Sequence, residues 1–378
     1  MQDLTDRHDV IVVGGGQAGL ALGYFLAQQG RDFVILEAAD EPAAAWLTRW
    51  DSLRLFTPAR YSALPGRAFS GDANRYPTRD EVASYLATYA RELDLPVRFG
   101  SRAKSLRRAD GGYVLETDER GYEAQQVVVA TGPFQVPRVP PIADSLGEGV
   151  VQLHSGEYRR PSDIPSGTVL VVGGGNSGFQ IAEELAGSHQ VHLAIGSRQT
   201  SFPQRLLGRD LFWYLEATGV IRKSLDSRVG QRLSGRDSLI GSSPRGIRRR
   251  GVEIHPRAVA AEGSTVTFAD GGKLHVGAVI WATGYRSDYS WIDVPVFDAR
   301  GLPVHRRGVT DSPGLYFLGL TWQYTRGSAL IGWVRDDAEF IAEQIKAFRA
   351  STASAADRTG EAVGAWPASV TSANTGER

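Results

Sequence analysis

A chain of 378 residues is long enough for two or three domains, and 42% hydrophobic with 22% charged residues reads as soluble and globular. Acidic and basic residues cancel at 42 each, so no global field points to nucleic acid or an anionic membrane, and a small molecule is the expected partner. With 0 cysteines the chain cannot run disulfide exchange, thiolate catalysis or an iron–sulfur cluster, which excludes the dithiol–disulfide reductases.

The first residues hold no apolar core and pass almost at once into a strand, so no signal peptide is expected. No apolar run approaches the ~18 residues of a membrane span, and the cytoplasm is the expected location. Val10-Ile11-Val12-Val13 reads as a strand, stopped by Gly14-Gly15-Gly16 and followed by Gln17-Ala18-Gly19 and an amphipathic stretch over 20–29. That is a strand, a tight turn and a helix start. Gly14 suits the turn, Gly16 lets the main chain approach a pyrophosphate, and Gly19 lets helix and strand pack closely. A helix N-terminus there presents free N–H groups and a positive dipole end to phosphate. The next strand, Phe33-Val34-Ile35-Leu36, ends in Glu37, 18 residues after Gly19 (37 − 19). This is close to the roughly 20 expected of the acid that binds an adenosine ribose.

Residues 38–54 form a loop with Trp46 and Trp50, and Gly/Pro punctuation continues to Pro77; so long a connection usually serves a site. Thr78-Arg79-Asp80-Glu81 reads as an N-cap with acids in the first turn of a helix to about Leu93. Alternating segments over 97–106 and 113–117 predict a small antiparallel sheet. Val127-Val128-Val129-Ala130-Thr131-Gly132 is a buried strand ending in a small-residue turn. Four prolines between Pro133 and Pro141 then mark a crossing between domains.

The pattern repeats at Val169-Leu170-Val171-Val172-Gly173-Gly174-Gly175-Asn176-Ser177-Gly178. Gly14 recurs as Gly173 (173 − 14 = 159 residues) and Ala130-Thr131-Gly132 as Ala282-Thr283-Gly284 (282 − 130 = 152 residues). Two dinucleotide sites in one chain most often mean a flavin and its nicotinamide reductant. The second site's next strand, over 191–195, ends in Gly196-Ser197-Arg198, with a cation and a hydroxyl in place of a carboxylate. An Arg there suits a ribose 2′-phosphate, so the first site is expected to take FAD and the second NADPH. Arg205 is a second candidate for that phosphate. The rest of the basic stretch from Arg198 to Arg257 reads as a solvated, partly mobile excursion. His189 and His192, three apart on or beside a strand, point to opposite faces, and no metal site is expected. A strand over 314–319 follows, and Ser328 is expected to cap a helix from about Ala329 to Arg349, its dipole toward the flavin. From Ala350 the Ser/Thr/Ala/Gly composition predicts a flexible tail.

These residues together resemble the class B flavoprotein monooxygenases, the flavin-containing monooxygenase family with its plant auxin-pathway and small bacterial relatives, over roughly 9–348. The marks are the two glycine motifs, Ala130-Thr131-Gly132, Leu153-His154-Ser155 leading to Tyr158, and Ala282-Thr283-Gly284-Tyr285 with Asp288. His154 and Tyr158 match the second half of the family fingerprint FxGxxxHxxxY. Its Phe and Gly positions hold Glu148 and Val150, Ala44-Ala45 replace the paired glycines before Trp46, and the animal enzymes' flavin-stabilising asparagine has no clear counterpart.

The resemblance implies an α/β fold of two Rossmann-like dinucleotide-binding domains of three-layer ββα type, the NADPH domain inserted into the FAD domain. The expected division is FAD-binding 1–145 and 285–349, NADPH-binding 146–284, and tail 350–378. It further implies cofactor contacts from Gly14, Gly16, Gln17, Ala18, Gly19, Glu37, Ala45, Trp46, Thr57, Ala103, Thr131, Gly132, Gly319, Ser328 and Ala329 on the FAD side. On the NADPH side the set is Gly173, Gly175, Asn176, Ser177, Gly178, Ser197, Arg198, Arg205, Thr283 and Gly284. His154 is expected to hold the interdomain linker, and no side chain stands out as catalytic. The implied reaction is transfer of one oxygen atom from O2 to a small sulfur or nitrogen nucleophile through a C4a-hydroperoxyflavin, the cofactor carrying the chemistry. A flavin reductase or oxidase releasing hydrogen peroxide is the alternative, and a redox-sensing module a third. Partners are the small substrate and O2, with neither nucleic acid nor membrane, and a homodimer is compatible with the sequence.

Overall fold

Apolar runs that stop at glycine turns build the parallel centres of two sheets. The computed structural model describes residues 5–109, 111–234 and 238–359. The first sheet runs Ile292–Asp293, Ala103–Ala109, Gly112–Thr117, Gly121–Val129, Thr5–Val13, Phe33–Leu36 and Val97–Arg98, with Leu315–Phe317 as an eighth strand on Gly121–Val129. Val10 to Val13 pair in parallel with Phe33 to Leu36 on one side and Gln126 to Val129 on the other. These central segments are buried on both faces, as unbroken Val/Ile/Leu runs require of parallel strands. The early part of Gly121–Val129 alternates instead and pairs antiparallel with Gly112–Thr117, itself antiparallel to Ala103–Ala109; the expected antiparallel sheet thus starts at Ala103, and Val97–Arg98 is a separate strand, parallel to Phe33–Leu36.

The second sheet is wholly parallel, in the order Glu253–His255, Gln190–Ala194, Thr168–Val172, Ala278–Trp281, Val151–His154. A three-stranded antiparallel sheet, Ala258–Glu262, Thr265–Phe268 and Lys273–His275, packs Val266 and Phe268 onto one face. Both sheets place the strand before the glycine turn at the centre, the strand after the ensuing helix on one side, and the Ala-Thr-Gly strand on the other. They differ in the outermost strand. The first sheet takes Leu315–Phe317 from beyond the second sheet in sequence, whereas the second takes Val151–His154 from before its own glycine turn.

Helix Gln17–Gln28 buries Ala18, Leu22 and Leu26 with Ala338, Ile341 and Ile345 of the last helix. Thr78 caps helix Arg79–Glu92 in a full capping box with Glu81, as its spacing predicts. The last helix departs from expectation: it is Val334–Thr359, beginning later and continuing past Arg349 into the stretch read as tail. Ser328 does not cap it. Its Oγ accepts from Tyr324 and Thr325 N–H, closing a turn, and Gly332 lies so near Tyr61 O (1.9 Å to an added Cβ) that backbone packing governs this approach. The tail after Thr359 lies outside the described residues.

The basic excursion is also docked, not free. Phe212, Ile221 and Ile240 form a buried core with Trp333, Phe56 stacks on Phe212 at 5.9 Å, and Tyr61 stacks on Trp333 at 6.0 Å. Tyr76 donates to Asp210 at 2.6 Å, Gln204 to Phe56 O at 2.8 Å and Arg222 to Asp336 at 2.7 Å. Charge density along the chain hid the apolar Leu211-Phe212-Trp213-Tyr214 segment that supplies this contact.

Candidate functional site

The two glycine turns have the same internal geometry. Gly14 has φ +115°, and a Cβ on it would meet Ala130 O at 2.5 Å; Gly173 has φ +138°, and its Cβ would meet Ala282 O at 2.0 Å. Gly19 and Gly178 sit on the carbonyls of Gly14 and Gly173, at 2.0 and 2.1 Å from an added Cβ. Each of these positions is therefore closed to any side chain. Gly16 and Gly175 differ, because nothing lies within 4 Å of where their Cβ would stand. Both are helix N-caps with no side-chain capping bond, leaving the first N–H groups of Gln17–Gln28 and Asn176–Leu185 free for a phosphate. Closed sides and an open face are what a pyrophosphate cradle requires.

Glu37 accepts from Gly15 N–H at 2.7 Å and from Ala39 N–H at 3.0 Å, placing its carboxylate beside the first turn. At the second turn the corresponding space over Gly174 is filled by Gln199, 2.6 Å from an added Cβ, and not by Arg198. Gln199 Nε2 bonds back to Ser197 O at 3.0 Å. Arg198 is exposed and makes no ion pair among the described residues. Arg257, which the linear reading left in the solvated stretch, reaches over Gly196: its Nε and Nη2 are both 3.2 Å from an added Cβ there. It arrives from the neighbouring strand, since Ala194 pairs with His255. Two cations thus flank the Gly196-Ser197 corner. Arg205 stands on a hairpin, with its Nε bonded to Tyr76 Oη at 3.3 Å. Asn176 is also occupied, receiving Ile240 N–H at 3.0 Å and donating to Ser238 O at 3.3 Å, so it ties down the docked excursion. Ser177 lies half-buried in the first turn of its helix.

On the first side Gln17 joins several expected positions: Trp46 Nε1 donates to its Oε1 at 3.2 Å, and its Nε2 donates to Ala329 O at 3.3 Å. Gly319, at φ +82°, abuts Ala18, 2.8 Å from an added Cβ. Thr57 is buried against Ser62 at 2.7 Å, whereas Ala45 is exposed and Ala103 half-buried at the start of its strand.

The carboxyl ends of the two sheets are clamped together. Gln135 donates to Thr131 Oγ1 and Gly132 O, both at 2.9 Å, and accepts from Asp288 N–H at 2.7 Å. Thr283 Oγ1 bonds to Arg138 O, and Arg138 N–H donates to Gly284 O at 2.9 Å. The linear order hides Gln135 because it joins Thr131 and Gly132 to Asp288, which lies 157 residues beyond Thr131 (288 − 131). His154 is buried beneath this clamp. Gly156 N–H donates to its Nδ1 at 3.1 Å, so Nε2 carries the proton and donates to Gly284 O at 3.0 Å. Burial holds its pKa below the usual histidine value. Tyr158 is buried and donates to Glu184 at 2.9 Å, and burial with that carboxylate pushes its pKa up. Both fingerprint residues have purely structural partners. Arg49 donates to Tyr285 Oη at 2.6 Å and lies 5.5 Å over Phe134, an exposed ring at the same junction.

Two glycine turns with open helix N-termini, one beside Glu37 and the other beside Arg198 and Arg257, belong here to an oxidoreductase that uses FAD and NADPH, as its relatives show. Residues 11–206 match the family described as "Pyridine nucleotide-disulphide oxidoreductase". An "Uncharacterized oxidoreductase CzcO-like" from Geobacillus kaustophilus is 46% identical over 340 residues, covering 89% of this chain and 98% of that one. A "Flavin-containing monooxygenase from Stenotrophomonas maltophilia" of known structure is 29% identical, with TM-score 0.78, covering 91% of this chain and 99% of that one. "Probable indole-3-pyruvate monooxygenase YUCCA9" of Arabidopsis thaliana is 29% identical, covering 89% of this chain and 88% of that one. The chain belongs to the pyridine nucleotide–disulphide oxidoreductase family, and within it to the class B flavoprotein monooxygenases. The disulphide chemistry in the family's name is closed to a chain with 0 cysteines; what it shares is the dinucleotide-binding architecture. Among the described residues, no helix is long and apolar enough to cross a membrane.

Proposed function

We propose that the first glycine turn holds FAD and the second NADPH, the latter on a unit inserted between the two parts of the FAD-binding unit. The enzyme then transfers one oxygen atom from O2 to a small sulfur or nitrogen nucleophile through a C4a-hydroperoxyflavin. The observation that carries this reading is the junction at which Gln135 ties Thr131 and Gly132, at the end of the first sheet, to Asp288, while Arg138 N–H donates to Gly284 O at 2.9 Å at the end of the second. Ligands of open α/β sheets bind at those ends, so the two cofactors meet there. FAD, when bound, supplies hydride acceptance and oxygen activation. Of the chain's own groups, Gly16 and Gly175 admit pyrophosphate, Glu37 positions the ribose end of the first nucleotide, and Arg198 with Arg257 receive the 2′-phosphate of the second. His154 holds the junction through Gly284 and Tyr158 is anchored on Glu184 of the second unit's helix; with their polar atoms bonded to protein, neither exchanges a proton with substrate. Ala44-Ala45, Glu148 and Val150, where the family carries glycines and Phe, favour a second reading: NADPH oxidation that ends in hydrogen peroxide.

The test is turnover of methyl phenyl sulfide with NADPH under isotopically labelled O2. Labelled sulfoxide in near-stoichiometric ratio to NADPH consumed supports oxygen transfer. Stoichiometric hydrogen peroxide with no sulfoxide, repeated with an amine probe such as N,N-dimethylaniline, favours the oxidase.

A further inference from the structure

We propose that His192, Glu253 and His255 form a binding site for a divalent transition-metal ion such as zinc, on the outer edge of the second parallel sheet. Strand pairing builds it. His192 and Glu253 are register partners on adjacent parallel strands, and His255 is two residues beyond Glu253, on the same face. His192 Nδ1 is 2.9 Å from His255 Nε2 and 3.6 Å from Glu253 Oε2, and His255 Nε2 is 3.9 Å from the same oxygen. Ligand atoms bound at ~2.0–2.2 Å around a four-coordinate zinc are about 3.3 Å from one another, which is the average scale of this triangle.

The donor set is short of protons for its geometry. Only one hydrogen can occupy the 2.9 Å contact between the rings, and the Glu253 carboxylate, at 3.6 and 3.9 Å, is beyond hydrogen-bond reach of both. With each ring's proton on its far nitrogen, three lone pairs converge with no N–H between them, and a cation satisfies all three. The rings are also held in place. His192 is buried, with 3% of its surface exposed, and His255 stacks on the buried Phe268 at 4.3 Å and 8°. Glu253 is the solvent-facing member, its side chain 65% exposed. Two imidazoles and one carboxylate, without thiolate, suit zinc and its transition-metal neighbours over Ca²⁺ or Mg²⁺, which prefer oxygen. His189, three residues before His192, is engaged apart from this site, its Nε2 contacting Ile164 O at 3.2 Å. The true neighbour is 63 residues away and is brought there by the sheet.

The experiment uses untagged, FAD-loaded full-length protein, free of nucleotide and chelator, dialysed against Zn²⁺ with excess Mg²⁺ and assayed for bound metal. The expected result is one zinc per chain, with an X-ray absorption spectrum showing two imidazoles and oxygen in the first shell and a raised midpoint of thermal unfolding. Glu253→Gln and His255→Asn, chosen because both residues reach the surface while His192 is core, should each weaken zinc more than about tenfold and abolish the thermal shift while keeping FAD. His275→Asn, at an exposed histidine bonded to Ser264, should change nothing. Wild type that takes up no zinc overturns the proposal, as does uptake that survives both substitutions. Loss of zinc binding leaves the assignment of FAD and NADPH untouched, because none of the three residues belongs to either cradle.

Discussion

Arginine 257 offers the sharpest test of the nicotinamide side, since nothing in the linear order marks it. Its guanidinium lies over Gly196 from the adjacent strand, while Arg198 lies two residues beyond that glycine on the turn itself. The 2′-phosphate alone distinguishes NADPH from NADH, so a change at either cation should act on one nucleotide only. A charge-assisted bond to phosphate contributes about 1.5–3 kcal/mol, and solvent exposure brings each arginine toward the lower end, about tenfold in affinity. Arg198→Ala and Arg257→Ala are each expected to weaken NADPH about tenfold and leave NADH nearly unchanged. Because both reach one phosphate, the double variant should fall short of a full hundredfold loss. The assay is the concentration dependence of anaerobic flavin reduction at two ionic strengths, and the variants should also lose salt sensitivity with NADPH. Equal use of both nucleotides by the wild type, with the ratio unchanged in all variants, refutes the reasoning. A silent Arg257→Ala beside an impaired Arg205→Ala would return the second cation to the hairpin.

Gly16→Ala should fold normally, having open space at its Cβ, yet purify without flavin colour, whereas Gly14→Ala should lose stability as well because its Cβ meets Ala130 O at 2.5 Å; absorbance and thermal melting separate the two. Gly175→Ala should keep the colour and lose NADPH-driven reduction, and loss of both together would contradict the division of sites. Glu37→Gln retains one acceptor for the turn and Glu37→Ala none, so FAD retention after dilution should fall in that order. His154, His192 and His305 have pKa values held below the ordinary value by burial. Stability from such groups is full above the unfolded pKa of about 6.5 and is lost as pH falls through the folded values. The thermal midpoint should therefore drop below about pH 6.5, and less steeply in His154→Gln; an equal drop in that variant would remove His154 from the explanation.

The strands, the two glycine turns and the Thr78 cap were legible because each follows from local rules: period, conformational freedom at glycine, and a side chain that satisfies the first N–H groups. What the linear order concealed is consistently non-local. Gln135, Arg257 and the His192–His255 pair acquire meaning only from strands laid side by side. The start of the last helix failed for a related reason: Ser328 has the chemistry of an N-cap, but its hydroxyl is taken by Tyr324 and Thr325 N–H. Arg205 and Asn176 stand out by residue type, and packing gives them partners that the linear order hides: Tyr76 for the first, the backbone of Ser238 and Ile240 for the second. Composition also misled over the basic excursion, where a few aromatic residues outweigh many arginines in deciding that the segment docks.

The most direct measurement mixes enzyme, reduced anaerobically with NADPH and still holding NADP⁺, with oxygenated buffer in a stopped-flow spectrometer. The account predicts a transient absorbance distinct from oxidised flavin, decaying faster when methyl phenyl sulfide is present. Oxidised flavin and hydrogen peroxide appearing together in one phase, at a rate the sulfide does not change, would contradict it.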